Sequence, residues 1–160
     1  PDTLRQERID ARDEFYVNLD IEEQFNKGWC DTSDISALAW WMVQNETART
    51  ALFANYQDVV SALGSFSAWL QGLRCGAENA YLWGNGNMFD NVILRNLYKS
   101  AGQEYPVHWK NDMDLRTLRL TADSLGYPYE EPELEGTHHN ALDDAKYQAR
   151  VIQSLMEALK

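Results

Sequence analysis

The segment that most restricts the fold is Ala80-Tyr81-Leu82-Trp83, an apolar run halted by Gly84-Asn85-Gly86 and followed by apolar residues at Phe89, Val92, Ile93 and Leu97. A short apolar run bounded by glycine reads as a buried strand ending in a tight loop. Apolar positions three and four apart mark one face of a helix, here from about Asn87 to Ser100 with Gly102 just past its end. Strand, glycine loop and helix make an α/β unit, and open α/β sheets place ligands where strand gives way to helix.

The other segments extend that architecture. Phe15, Val17 and Leu19 alternate with Tyr16 and Asn18 behind the charged stretch Arg5 to Glu14, which predicts a half-buried strand over 13–19. Ser33 or Asp34 can cap a helix carrying Ile35, Leu38, Ala39, Trp41 and Met42, and Asn45 can cap a short second one reaching Leu52. Val59, Val60, Leu63, Phe66, Trp69, Leu70 and Leu73 predict a long helix lying on the sheet, ended near Gly72 or Gly76. Asp114 opens a helix through Leu125 that Gly126 and Pro128 close, and Glu130 to Thr137 reads as an acidic loop. The last helix carries Leu142, Ala145, Ala149, Ile152, Met156 and Leu159 on one stripe.

A chain of 160 residues fits one domain with a real core. Its 44% apolar and 24% charged content excludes a disordered tail or a fibrous repeat. No apolar run approaches the roughly 18 residues of a membrane helix, and no secretory leader is recognisable, so a cytoplasmic protein without membrane contact is expected. Cys30 and Cys75 fit no metal-ligand spacing and read as reduced, packed thiols. The net charge of −11 argues against gripping nucleic acid by bulk electrostatics. It leaves room for an acidic site that works through metal cations, because bound ions reverse the field a phosphate meets.

Two clusters could carry chemistry. Asp90 follows the strand and its glycine loop, although Asn87 with Asp90 three residues on also resembles a capping pair. The second is His138-His139-Asn140-Ala141-Leu142-Asp143-Asp144. On a continuous helix His139 and Asp144 would stand about 140° apart, so they converge only if His139 lies on the loop before the helix. Two exposed histidines and a solvated acidic first turn explain the same residues without function. Asp112 and Asp114 form another acidic pair, read as a solvated loop residue and an N-cap.

Together, Phe89-Asp90, an interval of about fifty residues, and His139-x-x-x-x-Asp144-Ala145 opening a C-terminal helix resemble the DEDDh 3′-to-5′ exonucleases of the ribonuclease-H-like superfamily. The nearest likeness is to small phage and prophage proteins of the exonuclease-VIII and exoribonuclease type. Further matching stretches are Phe15-Tyr16-Val17-Asn18-Leu19, Trp40-Trp41-Met42, Trp83-Gly84-Asn85-Gly86-Asn87-Met88 and Asp114-Leu115-Arg116-Thr117-Leu118, so the likeness runs essentially end to end. It implies an α/β fold with a ribonuclease-H-like mixed sheet flanked by helices. It also implies a four-carboxylate site holding two divalent ions, Mg²⁺ or Mn²⁺, which activate a water and stabilise the leaving oxygen. Carried over by motif, Asp90 and Asp144 become metal ligands and His139 the general base. His138 and Asp143 share the same spacing, and the register rests on Ala145 following the ligand. Phe89, Trp83 and Asn85 become candidates to line the substrate site, with a place in the core the alternative for Phe89 and Trp83.

The first motif of that family, Asp-x-Glu on an opening strand, has no clear counterpart. Asp20-Ile21-Glu22 is one candidate, but the likeness makes Phe15 to Leu19 the third strand. It thereby places the motif and the first strands upstream of Pro1, where Pro1-Asp2-Thr3 reads as a turn inside a longer chain. The expected activity is metal-dependent 3′-to-5′ degradation of single-stranded RNA or DNA, or of 3′ overhangs, to nucleoside 5′-monophosphates. A catalytically inactive nucleic-acid- or protein-binding module of the same fold is the alternative, and a phosphohydrolase acting on free nucleotides ranks last. Trp29, Trp40 and Trp41 supply more aromatic surface than one small core needs, which suggests a homodimer.

Overall fold

The computed structural model describes residues 14–29, 35–137 and 139–159, without the side chain of Leu38. The turn at Pro1, the Ser33 or Asp34 cap, Cys30 and His138 lie outside the described residues.

Strand β3 (Leu82–Gly84) pairs in parallel with β4 (Asp112–Asp114), Leu82 opposite Asp112 and Gly84 opposite Asp114. Successive strand residues face opposite sides, and here they divide the core. Leu82 joins a cluster with Leu70, Phe66 and Trp69 of α4 (Val59–Gly72). Trp83 packs on the other side against Leu115 and Ala122 of α6 (Leu115–Leu125) and Val151 and Leu155 of α7 (Ala141–Ala158). Helices thus cover both faces of the parallel pair, as α/β architecture requires, and the expected long helix does lie against a strand. Leu115, Val151 and Leu155 are fully buried, each contributing roughly 1.5–3 kcal/mol of burial.

Helix α5 (Asp90–Ser100) is tied to α4 through Tyr98, whose hydroxyl donates to the Leu63 carbonyl at 2.9 Å and meets Ser67 Oγ at 2.8 Å. The N-terminal part holds β1 (Asn18–Leu19), α1 (Ile21–Asn26), α2 (Ile35–Met42), α3 (Glu46–Ala51) and β2 (Tyr56–Gln57). β1 and β2 form a second parallel pair, and Asn18 clamps the turn after α3 by donating to the carbonyls of Ala51 and Ala54.

Several expectations change. The strand over 13–19 narrows to Asn18–Leu19 among the described residues, because only these two find a paired neighbour. The helix expected from Asn87 starts at Asp90, since the backbone of 85–89 is held as a turn. Asp112 is a strand residue rather than a solvated loop residue. It is half-buried, paired with Arg95, and accepts from the buried Asn91 amide at 3.1 Å. Cys75 is a free thiol but exposed, not packed. The α/β class stands, with two two-stranded parallel pairs among the described residues.

Candidate nuclease site

Where β3 ends, Gly84 lies beneath two side chains of α5. A Cβ placed there would stand 2.8 Å from Asn91 Oδ1 and 3.2 Å from Asp90 Oδ2, so the missing side chain lets Asp90 fold down over the strand end. Gly86 follows at φ +108°, a conformation that suits glycine. The next N–H, of Asn87, donates to Asp114 Oδ2 at 2.6 Å, while Asp114 Oδ1 accepts the N–H and hydroxyl of Thr117 at 2.7 and 2.9 Å. Partial burial pushes the Asp114 pKa up, but these bonds and one from the Gly86 N–H outweigh it and hold the carboxyl below its ordinary 3.8. Asp114 is therefore both the N-cap of α6 and the anchor of the loop that presents Asp90.

The second loop is built alike. Gly136 adopts φ +102°, and the next N–H, of Thr137, donates to Asp143 Oδ2 at 2.8 Å. Asn140 caps α7 by accepting from the N–H groups of Leu142 and Asp143. His139 sits just before this cap at φ +67°, exposed, with its ring edge-on to Trp40 at 4.7 Å between centroids. It lies on the loop rather than in the helix, as convergence with Asp144 demands.

Asp143 is thus engaged with the loop backbone. The carboxylates of Asp90 and Asp144 take no hydrogen bond or ion pair from the described residues. Neither is among the residues that line the groove nearest to them. Leu94 and Leu97 of α5, one and two turns beyond Asp90, line a groove of about 260 Å³ with Phe15, Tyr16, Ala141 and Ala145. Asp144 is next to Ala145 in sequence but about 100° from it around the helix, outside the groove that Ala141, Leu142 and Ala145 line. His139 lines a neighbouring pocket of about 180 Å³ that shares Tyr16, Val17 and Ala141 with the groove.

The other expected substrate residues divide. Phe89 is 69% exposed at the start of α5, Asn85 is half-buried on the loop, and Trp83 is packed into the α6–α7 core. Asp20 is the N-cap of α1, accepting from the Glu23 N–H at 3.0 Å, and Glu22 lies within that helix, so the pair does not share a strand. Among the described residues no group of three or more His, Cys, Asp or Glu stands close enough to hold a metal ion. Sequence patterning missed two features: Arg116, whose guanidinium covers Gly86, and the pocket beside His139. Neither has a periodic signal, since each joins residues from separate segments.

Residues 6–156 match the family model of the 3′-5′ exoribonuclease Rv2179c-like domain. The chain belongs to that family. The Rv2179c-like match spans both glycine loops and both open aspartates. No curated protein and no solved structure matches the chain. Among the described residues, no helix of this Rv2179c-like chain is long and apolar enough to cross a membrane.

Proposed function

We propose that this chain removes nucleoside 5′-monophosphates one at a time from the 3′ end of single-stranded RNA, with Asp90 and Asp144 as ligands of divalent cations and His139 as general base. The observation that carries the reading is the family match over residues 6–156, joined to the unengaged carboxylates of Asp90 and Asp144 and to His139 on the loop before Asp144. Carboxylate oxygens suit Mg²⁺ or Mn²⁺, and two such donors fit part of a metal site. When bound, the ions would neutralise phosphate charge and activate the attacking water.

The chain's own residues act around that chemistry. His139 takes the proton of the water, and the Gly84 cradle holds Asp90 at the strand end. Arg116, with no ion pair to a described residue, adds a positive charge beside the acidic site. Because Asp20 caps α1 and Glu22 lies within that helix, this pair is not assigned to the metal site.

The test is a denaturing-gel ladder of 5′-labelled single-stranded RNA and DNA with Mn²⁺, run on this chain and on protein including any residues its gene encodes upstream of Pro1. Shortening by single nucleotides, lost in Asp144→Asn and His139→Ala, is the expected result. RNA left intact by both proteins overturns the assignment. The lack of a three-ligand cluster among the described residues favours, in that event, a binding module of the same family. Saturable RNA binding without Mn²⁺ uptake in calorimetry would mark it.

A further inference from the structure

A basic, aromatic corner lies at the end of the β3–β4 pair opposite to the site. Residues 91–111 carry Arg95, Lys99 and Lys110 against a single acid, Glu104, in a chain of net charge −11. Arg95 is engaged with Asp112, whereas Lys99 and Lys110 are exposed and have no ion pair among the described residues. Trp109 is 65% exposed. His108 stacks on it at 5.8 Å between centroids, and Lys110 Nζ lies over its ring at 5.4 Å. A single exposed tryptophan is ordinary, but this one stands on a fixed frame. Val107, just before it, is buried in the cluster under α4. The Asn111 amide donates to the carbonyls of Glu78 and Ala80, both at 3.1 Å, and Asp112 is held by Asn91 and Arg95. The 3-10 turn Trp109–Asn111 is thus fastened at both ends. Tyr81, 61% exposed, follows the Ala80 that Asn111 grips and brings a second aromatic ring to this end of the sheet.

Because β3 and β4 are parallel, their C-terminal ends, Gly84 and Asp114, meet at the candidate site, and their N-terminal ends, Leu82 and Asp112, adjoin Tyr81 and Asn111. Three strand residues separate the two ends by only about 7 Å, so one extended oligonucleotide spans both. Exposed flat rings with unpaired cations beside them fit a single-stranded nucleic acid, whose bases stack on the rings while its phosphates take the ammonium groups. The ammonium over Trp109 is near the roughly 6 Å limit of a cation–π contact, so a base displaces it at little cost and leaves it free for phosphate. We infer that the corner formed by Tyr81, Trp109 and Lys110 is a second RNA contact, which holds a nucleotide upstream of the 3′ end while the site acts on the terminal one. The inference rests on the exonuclease reading and adds to it where the rest of the substrate is held. In a strongly acidic chain, a contact of this kind keeps a shortened strand from leaving between cuts.

Two measurements test it. The first compares kcat/KM on a single-stranded RNA trinucleotide and on a dodecanucleotide with the same 3′ sequence. The longer RNA should be favoured about tenfold, the scale of one base stacked on an aromatic side chain, and mainly through KM. Trp109→Leu should remove that preference and leave the trinucleotide rate unchanged, while Trp109→Phe should keep most of it. The second measurement needs no turnover: fluorescence anisotropy of the labelled dodecanucleotide in EDTA. There Trp109→Leu should weaken binding about tenfold, and Lys110→Gln should lower the slope of log K against log salt by about 0.7. Phe53→Leu, at an equally exposed aromatic outside this corner, should change neither measurement. Equal kcat/KM on the two RNAs, or equal binding by wild type and Trp109→Leu, overturns the second RNA contact, leaves the corner to a protein partner and leaves the exonuclease standing. If neither RNA is shortened the exonuclease reading falls instead, and the anisotropy alone decides the corner.

Discussion

The loop before α5 and the loop before α7 are two versions of one device. Each has a glycine at φ above +100°, Gly86 or Gly136, and the N–H of the next residue donates to an aspartate. In each, a second aspartate at the start of the helix keeps its carboxylate open. The difference lies in where the anchoring aspartate comes from. Asp114 belongs to β4 and the start of α6, 27 positions from Asn87, and pins its loop to the sheet. Asp143 belongs to α7 itself, six positions from Thr137, and pins its loop only to the helix it precedes. The second loop gets its wider placement from exposed contacts: Arg119 with Glu131, Arg150 with Glu135, and the Tyr147 hydroxyl with Glu131. Surface pairs of this kind contribute little each. The Asp90 side of the site is thus held by the core, and the His139 side by its own cap and by Trp40.

The comparison is broken most directly by exchanging roles within Asp143-Asp144. If Asp144 is the open carboxylate, Asp144→Asn lowers the exonuclease rate by about a thousandfold, the scale of several kcal/mol of transition-state stabilisation, and leaves the urea midpoint unchanged. Asp143→Asn does the reverse in kind: it loosens the loop and lowers the midpoint, with a much smaller effect on rate. If Asp143→Asn alone is inactive at full stability, the engaged aspartate has been misassigned and the His138–Asp143 register is the working one.

A smaller effect is expected from the glycine of the second loop. Gly136→Ala imposes a side chain at φ +102°, and its Cβ would overlap the Asp143 carboxylate. Left-handed strain in a non-glycine residue costs about 1–3 kcal/mol, and the displaced Asp143 adds loss of its bond to Thr137. A chemical-denaturation midpoint within error of wild type would show that the loop relaxes freely, and the proposed pinning would fail.

Asp114 tests the other loop. Asp114→Ala removes the cap of α6 and the anchor of Asn87, and loss of a cap costs about 0.5–2 kcal/mol. The pH dependence has a definite sign. The folded pKa is depressed below the ordinary 3.8, so the carboxylate's contribution is complete above the unfolded value and is lost as pH falls through the folded one. The stability gap between wild type and Asp114→Ala should be constant from pH 5 to 7 and narrow below about pH 4. A gap unchanged down to pH 2.5 would mean that the cap does not depend on the charge.

How far the sequence foretold this arrangement varies by element. Helices α4, α5, α6 and α7 carry enough apolar turns to declare themselves, and Asn45 and Asp114 act as the caps their positions suggest. Two strands were also visible, β1 within the alternating 13–19 and β3 at the end of the apolar run from Ala80, whereas β2 and β4 are two and three residues long and carry no such pattern. β4 reads Asp-Met-Asp, a composition that strands disfavour. It forms because Asn91 and Arg95, from α5, engage the Asp112 carboxylate. The candidate site shows the same division. Asp90, His139 and Asp144 are visible as a spaced motif, whereas which of two adjacent aspartates is engaged depends on a backbone N–H six residues earlier. Trp41 was legible as part of an apolar helix face, of the Trp40-Trp41-Met42 stretch and of a surplus of aromatic surface, but not as a neighbour of His139, because the pocket they both line joins separate segments.

The smallest expected effect concerns Arg116, which lies against Gly86 on the firmly held loop, where the other loop has Asp143 against Gly136. In a chain of net charge −11, a cation here draws RNA phosphate toward Asp90 only at short range, since the surrounding field is unfavourable. Arg116→Gln, introduced into Asp144→Asn protein so that RNA is bound and not degraded, should weaken binding only a few-fold at low salt. It should also reduce the slope of log K against log salt by about 0.7, the value for one phosphate contact on a single strand. An unchanged slope with weaker binding would show that Arg116 acts only by covering Gly86. The first loop would then be anchored by Asp114 without contributing a charge of its own, and the two loops would differ in rigidity alone.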